Sequence, residues 1–263
     1  MNTRVISAIV AIPILILFTI AGGYIFKAGV MALTAIALYE YISAYKNTNS
    51  KVITPVIILI YFLNFILVFL NYDFELNLLL IIFTTLLSMA VPIFNKKYNV
   101  ISSALSVIGV LYIIVFFNTL IQIRINNYGN RLIWLTYIVP WACDTFAYYT
   151  GKFFGKRKLC PDVSPKKTVE GSIGGILGSI VGSIIWLTFN REINISLGSI
   201  LLLAIMGGII SQIGDLSASL IKRHVGIKDY GNIMPGHGGV LDRFDSILFV
   251  APLVYYYIEI MKF

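Results

Sequence analysis

Residues Ser217–Ser246 read SASLIKRHVGIKDYGNIMPGHGGVLDRFDS, between the apolar run Leu197–Ile213 and another that begins at Phe244 and ends at Ile260. Runs of this kind approach the roughly 20 apolar residues that cross a bilayer. The stretch between them crowds Lys, Arg, Asp, His and Gly at a membrane boundary. Charge there is expensive to hold and points to a site. Lys and Arg suit phosphate oxygens, Asp suits a hard cation, and Gly lets backbone come close to a ligand.

Composition agrees with membrane. The chain has 263 residues, 58% of them hydrophobic, with a mean hydropathy of +0.87. A soluble core of this size needs less apolar surface, so an integral membrane protein is implied. The net charge of +8 is not interleaved with aromatics on a soluble face. It favours anionic head groups and polyphosphate, and no nucleic-acid partner is expected. Cys143 and Cys160 make no disulfide framework and read as small apolar filler. The apolar run after MNTR is long enough to span, and Ala21-Gly22-Gly23 is a weak cleavage mimic. An uncleaved first helix is expected.

Nine candidate spans follow: Val5–Phe26, Ala28–Tyr45, Thr54–Leu70, Leu76–Phe94, Ile101–Ile123, Leu132–Thr150, Ser172–Phe189, Leu197–Ile213 and Phe244–Ile260. The fold class is an all-α polytopic membrane protein. With the N-terminus in the cytoplasm, 15 of the 20 basic residues fall on the cytoplasmic side. They include Lys46, Lys51, Lys96, Lys97, the six Lys/Arg from Lys152 to Lys167, and Lys222, Arg223, Lys228 and Arg243. Lys27, Arg124, Arg131, Arg191 and Lys262 stay on the far side. The positive-inside rule therefore gives N-in, C-out; the acidic loop Asp73–Glu75 falls outside. The chain reads as one membrane domain. Residues 1–130 are mainly scaffold, and residues 131–263 carry the polar residues of a site.

Three polar constellations stand out. Asp144, in Trp141-Ala142-Cys143-Asp144-Thr145-Phe146, lies about 9 Å from the cytoplasmic end of its span. At that depth it must face protein or water; a buried helix–helix hydrogen bond is the bland alternative. The connection Gly151–Gly171 holds Ser164-Pro165-Lys166-Lys167-Thr168. Pro165 stops any helix, Thr168 suits an N-cap, and Glu170 suits the first turn beyond it. Lys166 and Lys167 either rest on anionic lipid or capture phosphate near that helix start.

The third constellation is the opening stretch. If the eighth span continues, Asp215, Ser219 and Lys222 stand at i, i+4 and i+7 on one face. Gly236, Gly238 and Gly239 around His237 allow unusual backbone angles and bring N–H groups to an anion. Asp242 and Asp245, at i and i+3, share a face at the start of the last span. Singly, Asp242 suits an N-cap, Lys222 and Arg223 suit membrane anchoring, and His237 and His224 suit local hydrogen bonds. Together these readings leave unexplained why two acidic helix ends flank a Gly-His-Gly-Gly turn.

The segment Ser219-Leu220-Ile221-Lys222-Arg223, four residues, Lys228-Asp229, then Pro235-Gly236-His237-Gly238-Gly239-Val240-Leu241-Asp242-Arg243-Phe244-Asp245 resembles the diagnostic segment of the phosphatidate cytidylyltransferases, also called CDP-diacylglycerol synthases. Asp144 with its aromatics, and Ser164–Thr168 with Glu170-Gly171, resemble that family's second motif region. Met234 departs conservatively from the branched apolar residue or Phe expected there. The resemblance implies that CTP and phosphatidate give CDP-diacylglycerol and pyrophosphate, with Mg²⁺ and an optional second cation. Cytidine itself is read from the resemblance alone.

On that basis Asp215 and Asp242 are the first expected cation ligands, with Asp144 and Asp245 as further ligands or orienters. Lys222, Arg223 and Arg243 would hold phosphates, Lys166 and Lys167 would assist, and Ser219, Gly236, His237, Gly238 and Gly239 would shape the nucleotide-phosphate turn. Expected partners are CTP, phosphatidate and membrane lipid, with a homodimer admitted. The expected location is a bacterial inner membrane, with the site on its cytoplasmic side. The rivals are a transporter of anionic solutes and a related enzyme acting on another lipid phosphate. Transporters often carry paired repeats, and none is visible here. Enzymes that move a phosphatidyl group onto an alcohol carry an Asp-Gly…Ala-Arg run, which this chain lacks.

Overall fold

The computed structural model describes residues 3–71, 75–234, 236 and 238–262, with side chains for Ile9 and from residue 11 onward. Its helices are α1 (Thr3–Ala21), α2 (Gly23–Ala44), α3 (Thr54–Phe69), α4 (Leu76–Phe94), α5 (Val100–Ile125), α6 (Gly129–Leu132), α7 (Leu135–Phe154), α8 (Val169–Phe189), α9 (Leu197–His224) and α10 (Leu241–Met261). Among the described residues, six helices are long and apolar enough to cross a membrane: α2, α4, α5, α8, α9 and α10. The 16 residues of α3 make about 24 Å of helix, short of a typical hydrocarbon core. Polar residues, Asp144 and Lys152 among them, interrupt α7. Large apolar side chains such as Phe94 and Phe189 face outward, as lipid-facing surfaces require.

Several boundaries differ from expectation, three of them with consequences for a charged residue. The first break falls at Gly22, φ 62°, and Gly23, φ 51°, ahead of the expected Lys27. Glycine tolerates this left-handed backbone. Lys27 thus lies inside α2, where it is buried and donates to the Val68 carbonyl (2.9 Å) and to Asn71 Oδ1 (2.5 Å). The eighth span runs 28 residues, to His224, so Asp215, Ser219 and Lys222 do share a helix face. The last helix begins at Leu241 rather than Phe244. A π-helical segment, Val110–Val115, interrupts α5.

The fold is mostly helical, as expected, and carries one small strand element besides. β1 (Lys158–Cys160) pairs antiparallel with β2 (Ser164–Thr168). Thr168 then caps α8 as expected, its Oγ1 accepting from the Gly171 N–H at 3.1 Å. Glu170 follows in the first turn. Its carboxylate accepts the backbone N–H groups of Lys156 (3.0 Å) and Arg157 (3.2 Å). The basic connection is therefore folded against a helix start.

The chain divides into two compact units. The first comprises Met1–Ile121 and His224–Asp242. Inside it three buried amides meet: Asn118 Nδ2 donates to Asn64 Oδ1 (2.8 Å) and Asn77 Oδ1 (2.7 Å). They tie α3, α4 and α5 together where aliphatic packing alone gives little preference over lipid. The second unit comprises Gln122–Arg223 and Arg243–Phe263. Its centre is a glycine seam on α8. A Cβ at Gly175 would lie 2.9 Å from Cys143 Sγ, one at Gly178 2.5 Å from Phe146 Cβ, and one at Gly182 3.0 Å from Ala142 Cβ. Small residues at this spacing let two backbones approach closely, so α8 docks tightly on the face of α7 next to Asp144. Cys143 is buried and donates weakly to the Gly208 carbonyl, in keeping with its filler role.

Candidate active site

In the second unit three carboxylates gather from three helices. Asp144 is exposed on α7, and a carboxylate on such an apolar helix must face protein or water rather than lipid. Asp215 is half-buried on α9, and Asp245 is buried in the first turns of α10. Asp144 lies within electrostatic reach of Asp215, Lys167 and Arg243. Asp245 lies within reach of Asp215, Lys222 and Asp144. Lys167 forms an ion pair with Asp215, and Asp245 Oδ1 accepts its neighbour Ser246 N–H at 2.7 Å. Like charges within reach of one another repel, and in this conformation Lys167 offsets part of that repulsion.

The hairpin brings that lysine in. Successive strand residues face opposite sides, so Lys166 stays exposed while Lys167 turns to the carboxylates. The expected lysine pair thus separates into one inward and one outward residue. Arg223, at the end of α9, donates from Nε to the Val163 carbonyl at the hairpin tip, 3.4 Å away. Lys222 is buried, Ser219 is half-buried on the same helix, and Arg243 is exposed.

The first unit holds the glycine turn. Gly236 (φ 78°) and Gly238 (φ 86°) adopt left-handed backbone, and Met234 donates its N–H to the Gly238 carbonyl at 3.0 Å. Pro235 and His237 lie outside the described residues. Buried Asp242 accepts at Oδ2 from the Tyr230 N–H (2.7 Å) and the Gly239 N–H (2.9 Å). The N–H groups of Val240 and Leu241 donate to Glu40 Oε1 and Oε2, both at 2.9 Å. The turn does bring N–H groups to anions, but these anions are the protein's own carboxylates.

Glu40 escaped the sequence reading, although the signal was visible: one carboxylate inside the apolar span Ala28–Tyr45. The glycine seam, Gly171, Gly175, Gly178 and Gly182 at four- and three-residue spacing, was equally available.

Oxygen donors of this kind suit a hard cation such as Mg²⁺. Among the described residues no group of three or more His, Cys, Asp or Glu converges to hold a metal alone. Mg²⁺ needs only one or two protein carboxylates when substrate phosphates and water complete its shell, so the donor set fits.

Helices suited to a bilayer, with acidic and basic groups gathered at their ends, define a membrane-embedded protein equipped for charged, phosphorylated ligands. The chain belongs to the cytidylyltransferase family, whose model matches residues 2–261. It is similar to the phosphatidate cytidylyltransferase of Bacillus subtilis (strain 168), 33% identical over 268 residues covering 100% of this chain and 99% of that one. It is likewise similar to the phosphatidate cytidylyltransferase of Staphylococcus aureus (strain COL), 34% identical with 97% of each chain covered.

Proposed function

We propose that this chain is an integral membrane nucleotidyltransferase that makes CDP-diacylglycerol and pyrophosphate from CTP and phosphatidate. The observation that carries the reading is the carboxylate cluster Asp144, Asp215 and Asp245 with Lys167, Lys222 and Arg243 around it. Full-length similarity to proteins named phosphatidate cytidylyltransferase supports the same reaction.

A phosphatidate phosphate oxygen attacks the α-phosphorus of CTP, and the bond to the leaving pyrophosphate breaks. That oxygen is already ionised near neutral pH, so neither a strong general base nor a covalent enzyme nucleophile is needed. Catalysis then rests on positioning and charge neutralisation. Asp215 and Asp242 are each proposed as a carboxylate for Mg²⁺, which when bound would supply positive charge beside the reacting phosphates. Two backbone N–H donors orient the Asp242 carboxylate, as is usual for ligating carboxylates. Asp144 and Asp245 support the cluster. Lys222, Arg223 and Arg243 bind phosphate oxygens, and Lys167 moves from Asp215 to a substrate phosphate when the site is loaded. Ser219 and the turn around Gly236, His237, Gly238 and Gly239 shape the nucleotide end. The protein lies in a bacterial inner membrane, N-terminus in the cytoplasm and C-terminus outside, with the site facing cytoplasmic CTP.

Radiolabelled CTP and phosphatidate, given to membrane vesicles of defined sidedness, test both parts. Labelled lipid should form only with Mg²⁺, and only when the cytoplasmic face meets CTP. Anionic-solute flux without CTP dependence would instead establish the transporter.

A further inference from the structure

The structure assigns Glu40 as a positioning residue for this reaction: from α2 it clamps the N-terminus of α10 and so fixes the backbone that carries Asp242. Glu40 is 2% exposed. Its two oxygens each take one backbone N–H, from Val240 and Leu241, both at 2.9 Å. Leu241 is the first residue of α10, so both donors belong to the group that a helix start leaves without intrahelical partners. A carboxylate there also suits the positive end of the helix dipole. What an N-cap side chain usually does from the neighbouring residue, Glu40 does from the other end of the sequence.

The turn is shaped around this carboxylate. A Cβ at Gly239 would overlap both Glu40 oxygens, and one at Gly231 would lie 2.6 Å from Oε1. On its other side the same turn is held by Asp242, which takes the Tyr230 and Gly239 N–H groups. Four backbone N–H groups, of Tyr230 and of the successive Gly239, Val240 and Leu241, find their acceptors in two carboxylates, and the rotation of the first turn of α10 is set between them. If Glu40 let go, the Val240 and Leu241 N–H groups would be buried without acceptors. The turn would have to re-form, and Asp242 would lose its aim. The role as positioning residue rests on the reaction proposed above; the clamp itself does not.

The test compares purified wild type with Glu40→Gln, which keeps the shape but sets an NH₂ against one of the two donors. Three quantities are read: kcat with KM for each substrate, the melting temperature, and amide hydrogen exchange over 238–242. The expected result is a kcat lower by about 10- to 100-fold, the range typical of partners that orient ligating groups, with KM for phosphatidate within about twofold. Melting falls by only a few degrees, the cost of weakening a buried charged acceptor, and exchange over 238–242 accelerates. An unchanged kcat, or a loss that only tracks the folded fraction, overturns the positioning role. Unchanged exchange overturns the clamp. Should Glu40→Gln fail to fold, Gly231→Ala, which crowds the carboxylate without removing it, must show the same kcat loss or the proposal fails. If wild type makes no CTP-dependent lipid, the proposed reaction fails, and the exchange comparison still decides whether Glu40 clamps the turn.

Discussion

Asp215 and Asp242 have the same proposed duty in very different surroundings, so their amide variants should separate chemistry from stability. Asp215 is paired with Lys167, and both side chains are more than a quarter exposed. Such pairs contribute about 0–1 kcal/mol to stability. Asp215→Asn should therefore leave melting nearly unchanged while turnover falls to a trace. Asp242 is buried and accepts two N–H groups. Asp242→Asn should abolish turnover and also lower stability by about 1–2 kcal/mol, since a hydrogen bond to a charged acceptor is weakened. Near-normal turnover in either purified variant would remove that residue from the cation site. Asp144 was legible because a carboxylate deep in an apolar run is costly wherever it sits. Glu40 is the same kind of signal, but its partners lie 200 and 201 residues away. No local pattern connects them.

At the level of elements, the α7–α8 seam gives a sharp contrast between glycines. A Cβ at Gly178 would sit 2.5 Å from Phe146 Cβ and 2.6 Å from the Ala142 carbonyl oxygen, whereas one at Gly198 meets nothing within 4 Å. Gly178→Ala should cost about 1–3 kcal/mol, as overpacking does. It should also lower activity by shifting the helix that carries Asp144. Gly198→Ala should be neutral or stabilising by up to about 1 kcal/mol, since Ala is the better helix former. Thermal melts in detergent compare the two, and equal effects would contradict the seam. The Thr168 cap was readable because capping chemistry is local, and so was the shared face of Asp215, Ser219 and Lys222 on condition that α9 continued past Ile213, because i, i+4, i+7 spacing is local. The β-hairpin was not. Its strands are short and rich in Lys, which has low strand propensity, and they are fixed by contacts such as Glu170 with the Lys156 and Arg157 N–H groups.

For the whole molecule, apolar length and charge bias made the membrane class plain, because a bilayer demands both from sequence alone. The two compact units were not legible. The first joins Met1–Ile121 to His224–Asp242, and a hydropathy pattern carries no record of which distant segments associate. Glu40, in α2, lies in the stretch expected to be mainly scaffold, yet it accepts N–H groups from Val240 and Leu241.

The amide cluster of Asn64, Asn77 and Asn118 has a consequence for biogenesis. Asn64 leaves the ribosome 54 residues before Asn118, its partner at 2.8 Å. An amide in hydrocarbon without a partner costs about 2–7 kcal/mol, and α3 is short. Newly made α3 should therefore linger beside the insertion machinery until α5 is synthesised, and then move into lipid with it. Crosslinking of stalled nascent chains would register that wait, and Asn64→Leu should abolish it. If α3 departs equally early with either residue, the amides take no part in the order of assembly.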